Sequence, residues 1–169
     1  MMKVNFLARE HQKESLRQDA VVGICDPEGE QCAYTTTKHG RDKWCATIKN
    51  SQHKRFQFIA IDKNIIILRD DGKKESTCDG MVYVPQTREL SFVELKAYHT
   101  GGYISSAEGQ LFSTLKYFLA NHNYKDFYNR RAFACNPHRP AFAVSARERI
   151  NKFYKQTHFR LMPQAIIDL

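Results

Sequence analysis

Apolar and polar positions follow a two-residue period through most of the first hundred residues and a helical period after them. The run 55–61, RFQFIAI, alternates Phe56, Phe58 and Ala60 with Gln57, as a strand with one covered face does. WCATIKN at 44–50 reads as another strand, and 65–69, IIILR, as a continuous apolar run suited to a strand covered on both faces. Residues 21–34, VVGICDPEGEQCAY, place two β-prone runs around an Asp-Pro-Glu-Gly turn and predict a hairpin whose acids Asp26, Glu28 and Glu30 are solvated. DGMVYV and ELSFVELKAY, joined by PQTR at 85–88, predict a second hairpin with its turn near residue 87.

Helical spacing appears in three places. Residues 5–19 lack Gly and Pro and are rich in helix formers, which predicts a helix buried through Phe6, Leu7 and Leu16, with Glu10 and Glu14 on one face. Ser105 with Glu108 forms a capping-box pattern opening a helix to about Ala120, its apolar set being Leu111, Leu115, Phe118 and Leu119. Ser145 with Glu148 opens a third, with Ile150, Phe153 and Tyr154 as core contacts. Between the last two, RRAFACN reads as a strand, and FRLMPQAII closes the chain. Helix, antiparallel strands, helix, strand, helix is an α/β order, with one mixed sheet flanked by helices.

Composition narrows the class. The 169 residues, 42% hydrophobic and 12% aromatic, suit one domain spanning 1–169. No stretch nears the roughly 20 apolar residues of a membrane span, and the opening MMKVNFLAREHQKESLRQ turns charged too soon for a signal peptide, so a soluble, cytoplasmic protein with no membrane partner is expected. Five cysteines without a CxxC pair and seven histidines without HxxxH or HExxH spacing argue against a disulfide framework and structural zinc. The net charge is +8, with 16 Lys/Arg against 14 Asp/Glu in residues 1–100 and 10 against 4 afterwards. That C-terminal basic excess favours a polyanionic partner, nucleic acid first.

The chemistry concentrates in the second predicted hairpin. Burying a charge is costly unless it is paired or binds a metal, yet Asp79 opens one strand and Glu94-Leu95-Lys96 lies inside the next. Glu94 and Lys96, two apart, emerge on one strand face, and the hairpin register brings Asp79 opposite about residue 95. Two carboxylates for Mg²⁺ or Mn²⁺ and an ammonium for the attacking water are the minimum set for hydrolysing a phosphodiester, and the Leu95 carbonyl could add a ligand. A second [DE]xK match, Asp71-Gly72-Lys73, sits in a turn without an acidic strand partner.

Asp79, fourteen intervening residues and Glu94-Leu95-Lys96, followed by a helix, resemble the signature of the PD-(D/E)xK nuclease superfamily, over roughly residues 56–135. The resemblance implies a restriction-endonuclease-like fold, Asp79 and Glu94 as metal ligands and Lys96 assisting the water. It also implies a place beside the site for Gln110 and a further carboxylate from the N-terminal helix, Glu10 or Glu14. Cys78 stands where the motif has proline, and Thr114 where some members have tyrosine, so no subgroup is assigned. Arg130, Arg131, Arg139, Arg147, Arg149, Lys152, Lys155 and Arg160, interleaved with aromatic residues, are the expected phosphate contacts.

The expected activity is therefore metal-dependent cleavage of DNA rather than RNA, by a homodimer or with a targeting protein. The alternative is a non-catalytic nucleic-acid- or protein-binding module on the same fold, of an accessory or immunity type.

Overall fold

The computed structural model describes residues 3–38, 40–97, 102–138 and 147–169. Nine strands and two α-helices, joined by short 3-10 turns, are present among them. The strands form two mixed sheets where the sequence pattern predicted one.

The first sheet has the order β2-β1-β3-β9, from Tyr34–Thr36, Val21–Cys25, Ala46–Lys49 and Ile166–Asp168. Its β1–β2 pair is the predicted hairpin, and β9 joins β3 in parallel. The second sheet has the order β4-β5-β6-β7-β8, from Gln57–Ala60, Gly80–Val84, Glu89–Leu95, Tyr128–Cys135 and Arg160–Met162. Its first three strands are antiparallel neighbours, and β7 and β8 add in parallel. The closing run 159–167 thus divides between both sheets.

The second sheet is the middle layer. Val22, Ile24 and Ile48 of the first sheet pack with Phe58, Val82, Val93, Leu95 and Phe133 of the second. On the opposite face Met81, Leu90 and Phe92 meet helix α1, Tyr103–Asn121, through Leu111, Leu115 and Phe118, and helix α2, Arg147–Thr157, through Phe153. Edge-to-face rings of Phe6, Phe92, Phe118 and Phe159 fill this side, and truncating any of them to alanine costs about 3–5 kcal/mol. Cover on both faces explains why all seven residues of β6 are buried.

Several sequence expectations are corrected. Residues 5–19 are not a helix: only a 3-10 turn at Arg9–His11 forms, Phe6 is buried, and Leu16 is 43% exposed. The segment is pinned by outside partners instead, Phe6 N–H to His122 Nε2 at 3.2 Å and Arg17 N–H to the Phe56 carbonyl at 2.8 Å. The run 65–69 is no doubly covered strand either. Ile65 and Ile67 are buried, Ile66 and Leu68 are exposed, and a single bridge links Leu68 to Lys74.

Helix α1 starts earlier than Ser105, which lies inside it. Its N-cap is Gly102, at φ 91°, a left-handed conformation that side chains disfavour. Glu108 pairs with Arg149 of α2 at 2.6 Å instead of capping. On α2, Phe153 is buried but Tyr154 is 48% exposed, and the predicted cap Ser145 lies outside the described residues.

Candidate active site

The site forms where β5 begins and β6 ends. The antiparallel ladder pairs Gly80 with Val93, and one step further sets Asp79 against Glu94. A β-carbon at Gly80 would lie 2.6 Å from the Phe58 ring and 3.1 Å from the Ile59 carbonyl, so glycine lets β5 press against β4 directly beside Asp79. Val93 and Leu95 anchor β6 on the first-sheet side, which by strand alternation turns Glu94 to the helix side with Phe92. Its side chain is 1% exposed.

Asp79 Oδ2 accepts the Leu95 N–H at 2.6 Å. A strand residue presents its N–H and C=O to the same side, so the Leu95 carbonyl faces that side as well. Lys96 reaches Glu94 Oε1 at 2.5 Å and Gln110 Oε1 at 2.5 Å. Gln110 in turn donates to the Thr77 carbonyl at 3.1 Å. One turn along α1, Thr114 Oγ1 accepts the Cys78 N–H at 2.8 Å and donates to the Gln110 carbonyl at 2.9 Å. Helix α1 therefore fixes both Lys96 and the entry to β5, and the positioning role of Thr114 had no signal in the sequence.

Burial dominates the electrostatics. It pushes the Glu94 carboxyl up to about 9, with the Asp79 carboxylate adding to the rise and the Lys96 ammonium opposing it. Burial likewise lifts Asp79 to about 6, against the pull of the Leu95 N–H, with Asp26 adding a repulsion. Like charges this close, out of water, cannot both ionise freely without a cation between them. Glu94 Oε2 is buried and accepts no hydrogen bond.

Two paired carboxylates, one with an orphaned buried oxygen, fit a hard divalent cation that keeps much of its water. The fit is to a two-carboxylate site: no group of three or more His, Cys, Asp or Glu able to hold a metal occurs among the described residues.

The other predicted residues divide clearly. Glu10 is exposed on the 3-10 turn, and Glu14 binds Thr35, accepting its N–H at 2.7 Å and its hydroxyl as well, so neither faces the pair on an N-terminal helix. Asp26 is exposed, as expected of a solvated turn residue, and it also contributes to the field at Asp79. Arg130 donates to the carbonyls of His158, Tyr124 and Phe127 at 3.0–3.2 Å, and Arg131 to that of Asp168 at 2.7 Å. Arg130 is thereby committed to the fold, whereas the Nε and Nη2 of Arg131 are buried without a hydrogen-bond partner among the described residues. Arg147, Lys152 and Lys155 stand exposed on α2, as does Arg149 beside Glu108, and Arg160 is exposed on β8. Arg139 lies outside the described residues.

Comparisons with protein-family models, curated proteins and solved structures find no match. Among the described residues, no helix is long and apolar enough to cross a membrane.

Proposed function

We propose that the protein is a metal-dependent nuclease that hydrolyses phosphodiester bonds in DNA, on a restriction-endonuclease-like arrangement of its second sheet and α1. The observation that carries this reading is the opposition of Asp79 and Glu94 on paired strands, with Lys96 held at 2.5 Å from Glu94. Asp79, Glu94 and the Leu95 carbonyl would hold Mg²⁺ or Mn²⁺. When bound, such an ion neutralises phosphate charge and lowers the pKa of an attacking water.

The chain's own groups do the rest. Loading the site would favour the ionised forms of both carboxyls, offsetting the burial that raises each and, at Glu94, the repulsion from Asp79. Lys96, fixed by Glu94 and Gln110, orients the attacking water and offsets charge developing on the phosphate. Gln110 is a positioning residue, locking the Lys96 rotamer through its own bond to Thr77. The α2 cations Arg147, Lys152 and Lys155 grip the backbone of the polymer without reading its sequence. In this reading the protein works in the cytoplasm, and cutting both strands takes a second copy or a targeting partner.

One observation favours the alternative of a non-catalytic binding module. Lys96 is closed between two partners, as in a purely structural buried network. A cleavage assay separates the two. Supercoiled plasmid and linear DNA are incubated with Mg²⁺, Mn²⁺ or EDTA, beside a Glu94→Ala variant. The nuclease reading expects metal-dependent nicking or degradation that the variant lacks, and the plasmid-to-linear contrast reports endo- or exonuclease action. Salt-sensitive DNA binding with no cleavage by either protein leaves the binding module.

A further inference from the structure

A second concavity opens on the first sheet, about 500 Å³ in volume, lined among others by Arg17, Tyr34, Thr35, Lys38, Lys43 and Trp44. Its size is that of a small-molecule site. Its described lining contains no acidic side chain, unlike the groove along α2, whose wall includes Glu108 and Glu148. Arg17 is spent on Asp19 at 3.1 Å and on the Thr35 carbonyl at 3.2 Å. The exposed Lys38 and Lys43 are therefore the cations offered to a ligand among the described residues.

The aromatic walls complement them. Trp44 lies against the backbone at Gly23, where a β-carbon would come within 2.1 Å of the indole, so the missing side chain is what seats the ring. Tyr34, on the edge strand β2, is 44% exposed and leaves its ring accessible. Cations beside an accessible aromatic ring are what a nucleotide needs, phosphate on the first and base on the second. The wall also includes Cys25, the last residue of β1, which pairs with Tyr34 across the hairpin.

We propose that this pocket seats one nucleotide of an unpaired DNA strand, with its base stacked on Tyr34 and its phosphate held by Lys38 and Lys43. The proposal rests on the nuclease reading for the identity of the polymer and deepens it, because a base enters such a pocket only after leaving its duplex. The pocket selects single strands or frayed ends over intact duplex.

The test uses the single tryptophan of the chain as its reporter. The full-length Glu94→Ala protein, in EDTA, is titrated with a single-stranded oligodeoxycytidylate of about six nucleotides and with a duplex, while Trp44 emission is recorded. The expected result is a saturable emission change with the single strand, weaker binding of the duplex, and an affinity about tenfold lower in both Tyr34→Ala and Lys43→Ala. Tyr34→Phe retains the affinity, and thermal unfolding confirms that the alanine variants are folded. Binding without an emission change, unaltered affinity in both alanine variants, or no binding of the single strand overturns the pocket. The titration contains no metal, so the two readings fail separately. Pocket binding with no cleavage by wild type removes the nuclease reading alone, and cleavage without a pocket response removes the pocket alone.

Discussion

Replacing Glu94 by glutamine should make the metal-free protein more stable at neutral pH while removing its response to magnesium. Burial and Asp79 hold the Glu94 carboxyl at about 9 in the folded chain, whereas its ordinary value is 4.5. Above the ordinary value the unfolded chain has lost this proton and the folded chain keeps it. The folded state therefore binds more protons, and stability falls as pH rises, by about 1.4 kcal/mol per pH unit for one proton. From about pH 5.5 to about pH 8 the penalty reaches up to about 3 kcal/mol, and Asp79, lifted to about 6, adds to it at the acid end. Glutamine preserves the shape and carries no titrating proton.

Urea unfolding followed by circular dichroism, in EDTA across that range, should show wild type losing stability relative to Glu94→Gln as pH rises. Magnesium at about a hundred times its dissociation constant should restore about 2.7 kcal/mol to wild type at pH 8 and nothing to the variant. Parallel pH profiles, or equal stabilisation of both proteins by magnesium, would refute the reasoning.

Further outcomes follow from other groups. Burial raises the Glu89 carboxyl, but hydrogen bonds from Lys54, at 2.7 Å, Asn129 and Thr87 outweigh it and bring it below its ordinary value. Its contribution is present above the unfolded value and lost as pH falls through the folded one; Lys54→Met should cost about 2 kcal/mol in urea unfolding near pH 7 and flatten that acid limb. Burial lowers the imidazole pKa of His122, which accepts the Phe6 N–H, so the unfolded chain takes up its proton first on acidification. Stability is then lost as pH falls below about 6.5, and amide exchange at Phe6 should accelerate there in wild type but not in His122→Gln. Gly80→Ala should cost about 1–3 kcal/mol through the clash with Phe58, and its metal response should weaken because Asp79 moves with the strand, as thermal unfolding with and without magnesium will report.

The clustering of Asp79, Glu94 and Lys96 was legible in the sequence because its decisive contacts are local. Asp79 and Glu94 are joined by a four-residue turn in one hairpin, and their alternation with Val93 and Leu95 follows from strand geometry. Helix α1 was legible from its buried stripe, although its start was misplaced because a glycine N-cap leaves a weaker signature than a serine with glutamate three later. The N-terminal segment failed for the opposite reason. Its residues favour a helix, but Glu14 is drawn to Thr35 and Arg17 to Phe56, contacts that local propensity does not encode. Asp26 was correctly read as solvent-facing, but its contribution at Asp79 was not legible, since that neighbourhood exists only once two separate sheets stack. The three backbone carbonyls that Arg130 meets were not legible either, because a positive charge in a sequence does not reveal which carbonyls it will find.

The last strands have a consequence for the order of assembly. β8 ends at Met162 in the second sheet and β9 begins at Ile166 in the first, so three residues connect the two layers. β9 pairs with β3, whose partners Thr47, Ile48 and Lys49 leave a ribosome more than a hundred residues earlier. Until residues 166–168 emerge, the nascent chain keeps an unpaired edge at β3, open to pairing with other chains. Closing so long a loop is slow, and deleting residues 163–169 should leave a protein that still forms the β5–β6 hairpin but aggregates through the first sheet.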